Sequence, residues 1–508
     1  MRKTKTITLL YKNCRNSLLL FLIAFSTSNC GFSKFSPAAK YSPAKLQNDY
    51  SLFRKILEES HPGINWYTST DSMNYFFDWG SAQLKDSMTE PEFRKVLSYV
   101  ISKINCGHTV IKASKKYSRY LDTARTKAFP LSLKIWQDTA TIAANLNRKD
   151  TVLKRGTIVK KINRKDINEI TDSLFKYISS DGYNINHKYQ TLSNRGSFGA
   201  LYTNVFGLSE KYYVDYIDST GNTESSIIPV YDPAVDSAMR RGLRRPPSIS
   251  KKDRKDLMKQ AMRFLHMDSA RQIAFMDLNT FGRGYGLKKF FKKSFKSIRR
   301  NDIKYLVIDV RGNGGGNVTN STLLSKYLAL QHFKTADSLY AINRNSRYSR
   351  YIEKYFFNKL FMVFMTKKNS DGHFHFGYFE RHFFKPKRKN HFDGTVYILT
   401  GGNSFSATTL FIQTIKLQDN VIVVGEETGG GAYGNTAWLI PDVTLPNTRV
   451  RFRLPLFRLV INKDYPKNGH GIFPEVEARP TVNDIKRGAD FKMEKVLELI
   501  NIDRAKKL

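Results

Sequence analysis

With 508 residues, 41% of them hydrophobic and 13% aromatic, the chain is long enough for two to four domains with packed cores, which excludes an intrinsically disordered protein. Its 83 basic and 44 acidic residues leave a net charge of +39, but the basic residues are scattered and no recognised nucleic-acid motif accompanies them, so the charge reads as a solvated surface suited to anionic lipid or cell-wall polymer. Of three cysteines only Cys106 lies beyond residue 30, so the mature chain has no intramolecular disulfide and its stability rests on packing.

Arg2, Lys3, Lys5, Lys12 and Arg15 precede the apolar run 18–25, which is too short to span a bilayer and suits a secretory signal over residues 1–30. Cys30, after Thr27-Ser28-Asn29 and before Gly31, resembles a loose lipoprotein-type processing site. The expectation is an exported chain in the periplasm or at an outer or cell-surface membrane, with attachment through a Cys30 lipid or ordinary cleavage both open. Residues 31–43 read as a Ser/Pro/Ala tether.

Residues 44–127 read as an N-terminal helical region. Leu46, Tyr50, Phe53 and Leu57 fall at helical spacing. Thr89 and Glu92 form a capping box ahead of Phe93, Val96, Leu97, Val100, Ile101 and Ile104. The second helix ends at Asn105-Cys106-Gly107 and delivers His108 just past its C-terminus. From the residues alone, such a histidine is a dipole partner or a surface group. Cys106 could be a thiol nucleophile, but catalytic cysteine and histidine usually meet in space rather than as sequence neighbours.

Residues 128–231 read as a β-rich module with strands near 140–145 and 157–162 and a helix over 167–180. The stretch 153–163 resembles the core of a PDZ domain, with Thr157 in place of the usual Asp and Arg164 in place of a glycine. Such a module either grips peptide ends by strand addition or only packs. Residues 232–270 read as a basic linker or insertion. An α/β core is expected over 271–485, with a strand at 271–278, a crossover helix at 287–300 burying Leu287, Phe291, Phe295 and Ile298, and a buried strand at 305–308. In the aromatic, basic stretch 331–390, His373 and His375 alternate with Phe374 and Phe376 as in a half-exposed strand, so no metal is predicted there.

Two stretches carry the chemistry. Residues 304–317, KYLVIDVRGNGGGN, run from a buried strand into a glycine loop whose N–H groups can form an anion nest. A P-loop is excluded because no Lys-Ser or Lys-Thr follows Gly316, and a dinucleotide fingerprint fails at Asn317. Residues 395–434 read as strand, Gly401-Gly402-Asn403 turn, helix, strand and glycine-rich loop. Ser406 stands at the helix start, either as a cap or where free N–H groups favour a developing oxyanion. Strands at 437–440 and 449–454, a turn at 468–475 and a helix at 490–502, within a closing segment 486–508, complete the chain.

Asp309-Val310-Arg311-Gly312-Asn313-Gly314-Gly315-Gly316, Ser406-Ala407-Thr408-Thr409 and Gly425-Glu426-Glu427-Thr428-Gly429-Gly430 resemble, in order and spacing, the D-x-R-x-N-x-G-G, S-A-S-E and G-E-x-T-x-G motifs of the tail-specific (C-terminal processing) serine peptidases. The resemblance implies an α/β catalytic core with a parallel-rich sheet and crossover helices, ClpP/crotonase-like, with an N-terminal helical segment and a β-rich PDZ-like domain. It implies Ser406 as nucleophile and the N–H groups of Gly314, Gly315 and Ala407 as the oxyanion hole. The family's dyad lysine falls at Gly431, which directs the comparison to the histidine-dependent, tricorn-like and retinoid-binding-protein-like branch and implies His108 as general base. Gly107 stands where that branch has a hydroxyl. The group orienting the imidazole is left among Asn468, Glu475 and Glu426. The implied function is an exported serine endopeptidase acting by acyl transfer on peptide or unfolded protein, with no cofactor and no nucleic-acid partner. The alternatives are an inactive peptide- or apolar-ligand-binding protein on the same fold, or a basic envelope-binding protein.

Overall fold

The computed structural model describes residues 35–236 and 249–506. The predicted signal at 1–30 and Cys30 lie outside the described residues, as do the start of the tether and residues 237–248 of the predicted linker. Met1–Ala39 and Lys40–Leu508 are two separate units, and every described helix and strand belongs to the second. Among the described residues, no helix is long and apolar enough to cross a membrane.

Helix α1 (Pro43–Ser60) has proline in its first turn and buries Leu46, Tyr50, Phe53 and Leu57. Helix α2 (Thr70–Ala82), absent from the sequence reading, is capped by Ser69, whose side chain accepts from Ser72 N, and it buries only Met73, Phe77 and Gly80. That sparse stripe is why its period escapes a hydrophobic count. Helix α3 (Glu90–Ser102) opens on the predicted capping box, Glu92 Oε2 accepting from Thr89 N at 2.8 Å. The three helices share one core with residues 340 or more positions later. Phe53 meets Phe452 edge-on at 5.1 Å, and strand Ile111–Lys112 pairs with Arg451–Arg453.

The β-rich region is an antiparallel sheet of β1 (Leu131–Trp136), β2 (Thr139–Asn145), β3 (Ile158–Ile162), β4 (Lys211–Ile217) and β5 (Thr223–Pro229), in that spatial order. Its apolar core includes residues of α4 (Ile167–Phe175), α5 (Ile185–Ser193) and α6 (Ser197–Phe206). The helix predicted over 167–180 stops at Phe175, which leaves 176–184 as a loop ending in turn-forming Asp181-Gly182 and the α5 cap Asn184.

The predicted linker is corrected over its described second half. Helix α7 (Lys251–Met262) leads into β6 (Arg263–Asp268), an edge strand whose alternating exposure carries too few apolar residues to read as a strand in sequence. It pairs antiparallel with β7 (Ile273–Leu278). From there the sheet is parallel. Helix α8 (Leu287–Arg300) crosses to β8 (Tyr305–Asp309), and helix α9 (Val318–Leu328) precedes β9 (Thr395–Thr400). Helix α10 (Ala407–Ile415) follows, then β10 (Val421–Gly425), and after a second antiparallel sheet holding β11 (Gly434–Ala437) and β12 (Phe457–Val460), the short edge β13 (Val476–Glu477).

Both faces of the sheet's centre are covered, which is why β8, β9 and β10 are apolar at nearly every position. Leu306, Ile308, Val396 and Ile398 pack with Phe291, Phe295 and Ile412, while Tyr305, Val307, Tyr397 and Leu399 pack with Val496 and Ile500 of helix α11 (Phe491–Ala505). The strand predicted over 437–440 ends at Ala437, because Trp438 and Leu439 turn out at φ 64° and 29°. The carboxyl ends of β8, β9 and β10 feed the glycine loop, the serine turn and the Glu426 loop, the edge at which parallel sheets place their sites.

Candidate active site

Ser406 is the junction residue before α10, with φ 59° and ψ −122°, and its side chain makes no cap hydrogen bond. The capping reading is thereby set aside: a non-glycine residue holds left-handed backbone at a strand-to-helix turn with a half-buried, uncommitted hydroxyl. The glycine loop closes on it. Phe405 N and Thr408 Oγ1 both donate to Asn313 O, at 3.1 and 2.9 Å, and Ser404 Oγ donates to Val310 O at 2.8 Å. A Cβ on Gly315 would lie 2.6 Å from Ser406 Cβ and 2.9 Å from Ala407 N, and Gly315 has φ 94°, so only glycine fits there.

The predicted oxyanion donors divide. Ala407 is the first helical residue, so its N–H has no intrahelical acceptor. Gly314 is exposed at the loop tip. Gly315 N, by contrast, already donates to Asn313 Oδ1 at 3.0 Å, which turns the loop and removes that N–H from the free set.

His108 is buried at 6% exposure, and neither ring nitrogen has a hydrogen-bond partner. Its ring packs on Phe405, centroids 4.7 Å apart, with His187 at 5.1 Å from the same phenyl ring and its Nδ1 2.7 Å from Gly402 O. His108 and Ser406 are thus neighbours through Phe405 without being hydrogen-bonded. Burial, reinforced by Arg453 and His187, pushes the His108 pKa down to about 3, so the ring is neutral.

The carboxylate facing that ring is Asp181, with Oδ1 4.0 Å from His108 Nδ1. None of the three sequence candidates for an orienter does this. Glu475 Oε2 accepts from Val423 N, Glu426 is paired with Lys492, and Asn468 Oδ1 accepts from His470 N. Asp181 is 2% exposed and is held by Gly107 N at 2.9 Å and Gly431 N at 3.2 Å. Burial pushes its pKa up to about 6, with the two N–H groups and Arg458 pulling the other way. Gly107 and Gly431 stand where the resemblance places a hydroxyl and a lysine, and both offer their backbone to Asp181. No spacing marks Asp181 in sequence, because it reaches the site from the loop between α4 and α5.

Asn184 Nδ2 and Asn186 Nδ2 donate to Thr428 O and Glu427 O, which straps the Asp181 loop to the core. Donor atoms of Cys106, His108 and Asp181 lie within 4.8 Å of one another, a set that could hold a metal ion, but Arg458 beside Asp181 opposes a cation. Cys106 is buried and its pKa is raised by burial to about 11, which does not suit a thiolate nucleophile. His375 is held between Asp371 and Glu380 at 2.9 and 2.7 Å as an ion-pair residue.

Residues 272–478 match peptidase family S41. No curated protein matches the chain in sequence. Among solved structures, mature CPAF complexed with lactacystin aligns at a TM-score of 0.61 and 14% identity, covering 91% of this chain and 98% of that one. Mature CPAF alone gives 0.60 at 14% with the same coverage, and a CPAF point mutant 0.64 at 12%, covering 90% and 98%. At such identities the likeness is one of fold. The three motifs and the serine turn closed by the glycine loop all lie within residues 272–478, the stretch of the chain that is similar to peptidase family S41.

Proposed function

We propose that the chain is an exported serine endopeptidase that cleaves peptide or unfolded protein by acyl transfer. The observation that carries this is the Gly315–Ser406–Ala407 contact, which sets an uncommitted hydroxyl beside a free helix-start N–H. Ser406 Oγ attacks the scissile carbonyl while its proton passes to His108 Nε2. The oxyanion is stabilised by Ala407 N–H and by the loop at Gly314. Collapse expels the amine, which takes the proton from His108. Water, deprotonated by the same imidazole, then releases the acyl group and restores Ser406. Asp181 stabilises the transient imidazolium from the Nδ1 side once the 4.0 Å gap closes to hydrogen-bond length. Export rests on the basic-then-apolar N-terminal sequence, and at Cys30 lipid attachment and ordinary cleavage stay equally open.

A second reading, a peptide- or apolar-ligand-binding protein on the same fold, is favoured by one observation: both His108 nitrogens lack partners and Phe405 lies against the ring. Fluorophosphonate labelling separates the two. The peptidase reading expects labelling that is lost in Ser406→Ala and strongly slowed in His108→Ala. Labelling unchanged in Ser406→Ala removes Ser406 from the mechanism, and absent labelling with peptide binding favours the second reading.

A further inference from the structure

The helix Tyr355–Met365, between α9 and β9, reads YFFNKLFMVFM and is apolar on both its inner and its outer face. Such a helix is ordinarily enclosed. Here only Met362 is buried, with Tyr355 and Phe361 packed against the core that α1 to α3 share. Phe356, Phe357, Leu360, Val363, Phe364 and Met365 are exposed, Phe364 at 76% and both Phe356 and Phe357 at 69%. No other described helix or strand exposes more than two large apolar side chains, so this face is a patch rather than scatter. The charge around it has one sign. Residues 354–368 hold Lys354, Lys359, Lys367 and Lys368, all exposed, and no acidic residue. At the head of the helix opens a cavity of about 360 Å³ whose lining sets Lys115, Arg350, Arg449 and Arg451 against Glu353 and Asp442. Asp442 is taken by Lys112 and Arg451, at 2.9 and 3.1 Å, which leaves the other three cations against one carboxylate, Glu353. Glu353 stands three residues before Phe356, so the basic cavity and the apolar face are at most about 11 Å apart along the chain.

We propose that the helix Tyr355–Met365 lies in the interface of an anionic lipid membrane, with its outer face at the acyl boundary and the surrounding lysines and cavity cations at the headgroup phosphates. Three arguments select this occupant. Its 11 residues rise about 16 Å, roughly half of a bilayer's hydrocarbon core, so the helix can lie on a membrane and not cross it. An outer face rich in phenylalanine and rimmed by lysine has the composition of interfacial helices. A second copy, by contrast, would meet this face across a two-fold axis and set one lysine rim against the same rim, whereas anionic lipid neutralises it. The inner face holds the helix already folded, so no ordering cost is added on docking. Because stable anchoring takes two signals, this surface would supply the second beside a Cys30 lipid, or act by itself after ordinary cleavage. The proposal is independent of the peptidase reading, since it invokes no residue of the candidate active site.

The test is co-sedimentation with vesicles, using unlipidated residues 31–508, which keep every described helix and strand and lack the apolar run of the signal. Vesicles of phosphatidylcholine with phosphatidylglycerol should bind about 10-fold or more tightly than phosphatidylcholine alone, as several cations near an anionic surface imply. Phe357→Ser with Phe364→Ser should weaken binding to the mixed vesicles about 10- to 100-fold, since two large apolar groups no longer leave water. Lys367→Glu with Lys368→Glu should reduce the preference for phosphatidylglycerol to about 2-fold or less. No vesicle binding, or binding that the phenylalanine pair leaves unchanged, overturns the proposal. So does a phosphatidylglycerol preference that survives the lysine pair. A dimer in sedimentation velocity that the phenylalanine pair dissociates, without vesicle binding, assigns the face to a second copy instead. All four positions are exposed, and near-ultraviolet circular dichroism checks that each variant is folded.

Discussion

The two sides of the candidate site are built differently. On the serine side, Ser406, Ala407 and the glycine loop lie at the ends of adjacent parallel strands, and three hydrogen bonds tie one loop to the other. On the histidine side, His108 comes from the turn after α3 and Asp181 from the loop after α4, and the ring they share is buried without a hydrogen bond. The first half is preorganised by local chain geometry. The second exists only because three remote segments pack together, so its performance depends on small displacements, and the gap of 4.0 Å is where they matter.

The comparison is broken most directly at His108. His108→Ala should lower kcat by about four orders of magnitude, with KM little changed, since proton transfer is lost while binding persists. Steady-state kinetics on a peptide substrate would check it, and a loss under 10-fold would remove the histidine from the reaction. Gly315→Ala attacks the serine side. With φ 94° and a methyl 2.6 Å from Ser406 Cβ, it should lower kcat by about 10²-fold and lower the melting temperature as well. Wild-type activity after that change would mean the loop does not fix Ser406.

Asp181→Asn sharpens the difference, because it keeps shape and removes charge. We expect kcat to fall about 10- to 100-fold, less than for a directly bonded orienter, because the carboxylate starts 4.0 Å away. The wild-type pH profile should rise through about 6 as Asp181 ionises, and that limb should disappear in the variant; an unchanged profile argues against the assignment. The stability sign is opposite. Between the ordinary 3.8 and about 6, the folded chain holds a proton the unfolded chain has lost, so this contribution to stability falls as pH rises through that window. Smallest for activity is Lys492→Met. It leaves buried Glu426 unpaired and should cost about 3 kcal/mol by denaturant unfolding, with the pH profile of kcat unaltered.

Legibility followed the same division. The α8 stripe, the apolar β8 strand and the Thr89–Glu92 capping box were readable because each is set by residues a few positions apart. The edge strand β6 was not, because half of it faces solvent and its pairing with β7 supplies what its own composition lacks. The sequence offered Asn468, Glu475 and Glu426 as orienters through a resemblance in position, and each is engaged elsewhere.

By itself the sequence determined the parallel core, the serine turn and the glycine loop that meets it, since strand burial, turn chemistry and the need for glycine are written in contiguous residues. Only the tertiary structure decided that Ser406 is not a cap, that Gly315 gives its N–H to Asn313, and that Asp181 faces His108. The physical reason is range. A carboxylate's effect on an imidazole falls off within a few ångströms, and which carboxylate comes that close is settled by the packing of elements 73 residues apart, not by any local preference of the chain.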